Sequence, residues 1–178
     1  MSKTNNIAAV KTVAEFDEAL KSNINIIFML APNILTLEKD IKKGHDADKK
    51  IFIHIDLAEG IGKDKAGIEF VKKMGVDGII STRTNVIKIA HELEIFTVQR
   101  FFTVDSHSID TTLEALKASR ADMIEIMPGI AVKAIAMLKK KTDTPIIAGG
   151  LIDSKEEAQN AVKYGASAIS TSNKELWK

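Results

Sequence analysis

The sequence predicts an α/β fold, a compact (β/α)8 barrel of the TIM type with short loops and a truncated last helix, forming a single domain over residues 1–178. Three observations predict it. Short apolar runs alternate with amphipathic segments along the whole chain, which is the pattern of a parallel sheet with crossover helices. Eight such runs occur without a long break, which favours a closed barrel over an open doubly wound sheet. With 178 residues against the roughly 250 usual for this fold, the loops must be minimal. No linker, low-complexity stretch or second domain interrupts the pattern.

The strands are expected at Ile7–Val10, Ile24–Leu30, Ile51–Leu57, Gly78–Ser81, Phe96–Phe102, Met123–Met127, Pro145–Ala148 and Ala168–Ser170. Between them, apolar residues recur at three- and four-residue spacing: Phe16, Ala19 and Leu20, then Ile68, Val71 and Met74, then Leu113 and Leu116, then Val132, Ile135 and Leu138. The segment after the eighth strand, Lys174–Lys178, is long enough only for a stub of helix. Its Leu176 and Trp177 either seal the bottom of the barrel, the expectation taken here, or pair two subunits of a homo-oligomer.

Composition bounds the function. The chain is 45% hydrophobic and 28% charged, enough to build a sizeable core. Cysteine is absent, so disulfides and thiolate zinc sites are excluded and a reducing compartment is expected. The opening MSKTNNIAAV lacks an apolar signal region, and no run approaches the roughly 20 apolar residues that span a bilayer. A cytoplasmic protein without a membrane partner is expected. A net charge of +1 gives no global argument for nucleic acid, though it leaves room for a local basic patch.

In a barrel of this type the site lies at the C-terminal ends of the strands. In the third run, alternation turns Ile51, Ile53, Ile55 and Leu57 toward the helices and Phe52, His54 and Asp56 into the barrel. An inward His and Asp are costly to bury unless they are paired or face a ligand. Glu125 repeats the device on the sixth strand. Arg83 follows the fourth strand, and the fifth carries Gln99 and Arg100 before Asp105 and Ser106. The pattern leaves open which of Gln99 and Arg100 points inward. These arginines and carboxylates form either mutual ion pairs closing the barrel top or ligand contacts.

The strongest stretch is Pro145–Asn173, which reads as strand, glycine turn, capped helix and strand. Ser154 and Glu157 form a capping box. Gly149 and Gly150 let backbone approach a ligand oxygen, and Ser170, Thr171 and Ser172 add donors, a combination suited to a phosphate dianion. The alternative for the glycines is simply a tight turn, but the loops after strands seven and eight are the frequent phosphate site of this fold. No loop is long enough to be a lid, which favours a small-ligand sensor over water-sensitive chemistry.

Other chemistry is poorly signalled. His45, His54, His91 and His107 lack metal-site spacing, and His54 with Asp56, Asp105 or Glu125 is no more than a guess at a divalent site, so no metal is expected. No Walker loop, nucleophile elbow or strand-borne lysine nucleophile is visible, and no catalytic residue is assigned. Lysines gather at Lys42-Lys43, Lys49-Lys50, Lys72-Lys73 and Lys139-Lys140-Lys141, at or after helix C-terminal ends and so on the face opposite the phosphate loops. They compensate helix dipoles or form a basic ring for nucleic-acid phosphates. One Trp and one Tyr argue against a single-strand stacking platform.

Six phrases stand together in order: His54-Ile-Asp-Leu-Ala-Glu-Gly60, Asp77-Gly-Ile-Ile-Ser-Thr-Arg83, Gln99-Arg100 with Val104-Asp105-Ser106, Glu125-Ile-Met-Pro-Gly129, Ile146-Ile-Ala-Gly-Gly-Leu-Ile152 and Ser170-Thr-Ser-Asn-Lys-Glu-Leu-Trp177. Over nearly the whole chain this resembles the glycerol-3-phosphate-responsive antiterminator family, the regulatory proteins of glycerol uptake operons. The resemblance implies a non-enzymatic regulator that binds glycerol 3-phosphate as effector, needs no cofactor, and acts on the leader mRNA of glycerol-utilisation operons to prevent premature termination. The first strand departs from the family, reading Ala8-Ala-Val-Lys11 where a phrase ending in Arg is expected, so Lys11 would carry any basic contact there.

Joined to the residue reading, the resemblance implies phosphate held by Gly149, Gly150, Ser170, Thr171 and Ser172, with the glycerol hydroxyls meeting some of His54, Asp56, Arg83, Arg100 and Glu125. The alternative is a phosphate-handling barrel enzyme, a sugar-phosphate isomerase or lyase or a glycerol-phosphate transferase, with Asp56 or Glu125 as base.

Overall fold

A computed structural model describes residues 5–103 and 106–178. The eight strands are β1 (Asn6–Val10), β2 (Ile26–Met29), β3 (Lys50–His54), β4 (Gly78–Ser81), β5 (Phe96–Phe102), β6 (Met123–Met127), β7 (Ile146–Gly149) and β8 (Ala168–Thr171). Each pairs in parallel with the next, and β8 returns to β1 with Ser170 beside Ile7, closing the barrel. The helices between them are α1 (Val13–Lys21), α2 (Leu37–Asp46), α3 (Lys65–Lys73), α4 (Thr84–Glu92), α5 (Ser106–Ser119), α6 (Val132–Lys139) and α7 (Lys155–Lys163).

Strands buried on both faces need apolar residues at both parities, and these strands supply them. One parity points inward, where Ile7, Phe28, Phe52, Ile80, Val98, Ile147 and Ala168 fill the lower barrel. The Phe28 and Phe52 rings lie 5.5 Å apart, and Phe52 meets Phe96 edge-on at 5.7 Å. Gly78 makes room for this plug, since a Cβ there would fall 2.3 Å from the Phe52 ring. The other parity meets the helices in two outer clusters, one holding Ile27, Ile51, Ile53 and Ile79, the other Ile124, Ile126, Ile146 and Ile169. The apolar plug confines polar chemistry to the upper end.

The loops at that end are short and stitched together. Asn33 Nδ2 donates to Glu59 Oε2 at 2.6 Å, and the Glu59 amide donates to the Pro32 carbonyl, tying the loops after β2 and β3. Both α1 and α7 begin with a capping box, Thr12 with Glu15 and Ser154 with Glu157. The second of these was expected from the sequence.

Two expectations change. The third run does not stay extended to Leu57: β3 stops at His54, and Ile55–Leu57 forms a 3-10 turn. Leu57 therefore emerges at 58% exposure and does not face the helices. The residues after β8 form a 3-10 turn, Lys174–Trp177, which does not seal the barrel bottom. It fills the outer slot of the missing eighth helix. Trp177 joins the outer cluster with Phe16 and Ala19, its Nε1 donates to the Thr171 carbonyl at 3.0 Å, and Asn6 Nδ2 holds the Leu176 carbonyl at 2.8 Å. The stub is thus a seam cover between β8 and β1.

Candidate ligand site at the barrel mouth

Where the strands end, a cavity of about 150 Å³ opens, lined by Lys11 after β1, Leu30 after β2, Arg100 of β5, Glu125 and Met127 of β6, the Gly150–Asp153 loop and Ser170–Ser172. Its floor is an ion pair. Arg100 Nε donates to Glu125 Oε2 at 2.7 Å, with the side chains 9% and 1% exposed. The inward parity of Val98 on β5 extends to Arg100, so the arginine enters the barrel. Gln99 turns outward, its Nε2 donating to Thr84 Oγ1 at the start of α4. That settles the orientation the alternation left open. Gly149 completes the floor, because a Cβ there would stand 2.3 Å from Glu125 Oε1. The first glycine of the pair is therefore required by the carboxylate inside the barrel.

His54 reaches the same level from β3 and is 4% exposed, with Nδ1 buried and without a partner among the described residues. Burial, and next the nearby Arg100 charge, lower its pKa from an ordinary 6.5 to about 4, while Asp56 opposes them. At neutral pH it is an uncharged imidazole.

Asp56 does not stand free. Carried by the 3-10 turn, its carboxylate accepts from Ser81 Oγ at 2.7 Å and from the Thr82 amide and hydroxyl at 2.8 and 2.9 Å. Burial pushes its pKa up, but these donors outweigh it and hold the carboxyl below the usual range. Asp56 thus pins the turn between β4 and α4. Arg83 lies on that turn, largely exposed, with Nε 3.9 Å from Asp56 Oδ1. Among the ten candidate residues, His54, Arg100, Glu125, Gly149 and Ser170 share the inward face, while Asp56 and Arg83 form a separate cluster on the rim.

The loops after β7 and β8 supply donors. Gly150 at φ +77° and Leu151 at φ +58° take consecutive left-handed conformations that swing the chain off the strand. The Leu151 amide donates to nothing among the described residues, nor do the hydroxyls of Ser170 and Ser172. Thr171 differs from its neighbours. Its hydroxyl donates to the Ile152 carbonyl at 2.8 Å and accepts from the Asn173 amide at 3.0 Å, which clamps the β7 and β8 loops together. Lys11 is exposed and lines the cavity, its side chain without a partner among the described residues. Met127 also lines the wall, and its alternation with Met123 and Glu125 was the sequence signal for it.

No group of three or more metal-ligating side chains is present among the described residues. Asp105 lies outside them, as does Val104.

With this geometry in place, comparison with known proteins becomes informative. The family model for "Glycerol-3-phosphate responsive antiterminator" matches residues 6–177. This chain belongs to that antiterminator family. The uncharacterized protein YgcP of Escherichia coli (strain K12) is 39% identical over 172 residues, 96% of this chain and 90% of that one. The crystal structure of the glycerol uptake operon antiterminator regulatory protein from Listeria monocytogenes superposes with a TM-score of 0.93 at 31% identity, covering 99% of this chain and 96% of the other. A glycerol uptake operon antiterminator-related protein from Thermotoga maritima superposes with a TM-score of 0.87 at 33% identity, covering 99% of each chain. Aldolases at 10–15% identity share the barrel fold alone.

In this member of the antiterminator family, each of the six phrases quoted from the sequence includes part of a strand, from β3 through β8 in order. The last phrase runs on past the mouth to Leu176 and Trp177 on the outside of the barrel. Among the described residues, no helix is long and apolar enough to cross a membrane.

Proposed function

We propose that the mouth cavity binds glycerol 3-phosphate, without a cofactor, and that its occupancy controls binding of this protein to the leader mRNA of a glycerol-utilisation operon. The observation that carries the reading is that the Lys11 side chain, the Leu151 amide and the Ser170 and Ser172 hydroxyls, none of them partnered among the described residues, line one small cavity. Cationic and hydrogen-bond donors aimed at one point suit a phosphate. At about 150 Å³ the cavity is below the size of drug-like sites, which fits a three-carbon ligand.

In this reading the phosphate lies against the Gly149–Gly150 backbone, Ser170, Ser172 and Lys11, with Thr171 holding the two loops in place. The glycerol hydroxyls meet Glu125, Arg100 and the neutral His54. Asp56 and Arg83 act from the rim. Ligand then shifts the protein toward the RNA-competent state through its higher affinity for that state.

The carboxylates an enzyme of this fold would use as base are committed, Asp56 to Ser81 and Thr82 and Glu125 to Arg100. Lys50, the lysine that lies within a strand, is exposed at the end away from the mouth. The deciding experiment is a leader-transcript shift assay with and without glycerol 3-phosphate at low and moderate salt, run beside a turnover assay. Ligand-dependent binding without turnover is expected. Consumption of glycerol 3-phosphate, or RNA binding indifferent to it, sinks the reading.

A further inference from the structure

We propose that the RNA meets this protein on the face opposite the mouth, in a basic groove between the C-terminal end of α5 and the loop from α6 to β7. This rests on the reading of the protein as an antiterminator that binds RNA. The groove, of about 280 Å³ and open to solvent, is lined by Leu113, Leu116, Lys117, Arg120, Lys141 and Thr142. Arg120 stands just before β6, and Lys141 and Thr142 just before β7, so the groove is at the entry ends of the strands. Lys139 and Lys140 extend it. The turn after α7 adds Lys163, since a Cβ on Gly165 would touch the Lys139 stem at 2.8 Å.

The distribution of partners distinguishes this quadrant. Lys117, Arg120, Lys139, Lys140 and Lys163 are exposed, and none of their side chains has a hydrogen bond or ion pair among the described residues. Only Lys141 is held, by Asp110 at 3.0 Å. Of the nearby acids, Asp122 is turned inward onto the Thr97 amide and hydroxyl, while Glu114 on α5 and Asp143 are exposed. On the other side of the same face more of the lysines are held: Lys42 binds Asp46, Lys43 binds Asp17, and Lys49 and Lys72 donate to the carbonyls of Ser22 and Leu93, leaving Lys21, Lys50 and Lys73, spread over three elements, without a side-chain partner among the described residues.

Helix-dipole compensation explains a cation at each helix end, but it does not explain this asymmetry, because α2 and α3 end in lysines as α5, α6 and α7 do. An unpaired cation can meet a phosphate backbone without giving up an existing partner, whereas a paired lysine must first lose its carboxylate. The partner that matches several unpaired cations along a groove is a polyanion, and the backbone of a structured RNA supplies one. Tyr164, also exposed, is the aromatic residue at the edge of this patch, so contact with phosphates is expected in place of base stacking. Ligand and RNA would then occupy opposite ends of one barrel.

The test uses the full chain, a labelled leader transcript, and the variant Arg120→Glu/Lys139→Glu/Lys140→Glu. The charge-neutralising Lys139→Gln/Lys140→Gln serves as a milder second variant, and Lys50→Glu/Lys73→Glu as a same-face control. The triple variant should lose at least about a hundredfold in RNA affinity, and the salt dependence should flatten by about two to three in slope. The glutamine variant should lose less, and the control should stay within about twofold. Thermal stabilisation by glycerol 3-phosphate should be retained by all, showing a folded barrel with its mouth intact. Equal RNA binding by wild type and triple variant overturns the groove and leaves the antiterminator reading standing. No RNA binding by the wild type, with or without glycerol 3-phosphate, overturns both.

Discussion

Arg100 and Glu125 are register partners on adjacent strands, and their side chains close a 2.7 Å ion pair across the inside of the barrel mouth. Charges this deeply buried depend on each other. Removing one strands the other, whereas replacing both with apolar groups is often tolerated.

The single variant Arg100→Met should accordingly lower the unfolding free energy by about 3–5 kcal/mol in urea titrations. The double variant Arg100→Met/Glu125→Leu should recover most of that loss. Both should fail to be stabilised by glycerol 3-phosphate. A double variant no more stable than the single one would show that the ion pair itself supports the fold.

Gly149→Ala tests the room made for that carboxylate. The added Cβ would stand 2.3 Å from Glu125 Oε1, so the side chain must move. A cost of about 1–3 kcal/mol is expected from thermal melts. Combined with Glu125→Ala, the glycine substitution should cost little further, because the two sites share one volume.

Acid should expose His54. Its pKa in the folded state is depressed to about 4 from an ordinary 6.5, so between those values the unfolded chain takes up more protons than the folded one. Stability should fall as pH drops from 6.5 toward 4, by an amount on the order of 3 kcal/mol, with no His54 effect above that window and the full loss, without further slope, below it. His54→Gln should flatten this part of the pH–stability curve. An unchanged slope would mean that the imidazole is not desolvated.

Lys11 and Ser170 test the anion. Lys11 is exposed and its side chain is unpaired among the described residues, so Lys11→Gln should leave the ligand-free melting temperature unchanged while weakening glycerol 3-phosphate binding about tenfold. At a ligand concentration 100 times the wild-type Kd, where the wild type gains about 2.7 kcal/mol, the variant should gain about 1.4 kcal/mol. Ser170→Asp should abolish the gain by setting a like charge against the phosphate. If calorimetry shows undiminished binding in both variants, the phosphate lies elsewhere.

The barrel was legible in the chain because its evidence is local. Ile7–Val10 and Gly78–Ser81 read as strands from their own composition, and the Ser154–Glu157 capping box needs only three residues of spacing. Alternation on β6 likewise placed Glu125 inside. It overran at Ile55–Leu57, where three more apolar or inward-phased residues looked extended; Asp56 is drawn instead to Ser81 and Thr82, partners 25 and 26 residues away. Thr171 looked like another donor beside Ser170 and Ser172, and its commitment to Ile152 crosses two loops.

The sequence by itself thus determined the number and order of the elements and the end of the barrel that carries the polar residues, since periodicity and capping are properties of neighbouring residues. Only the tertiary structure decided which donors remain free. It turned Arg100 inward and Gln99 outward, spent Asp56 and Thr171 on loop geometry, and, among the described residues, left the side chains of Lys11 and Ser170 unpartnered at the mouth and those of Lys139 and Lys140 unpaired at the opposite end. Whether a polar group is available to a ligand depends on every partner within about 3 Å, and closing a barrel brings most of those partners from distant positions in the chain.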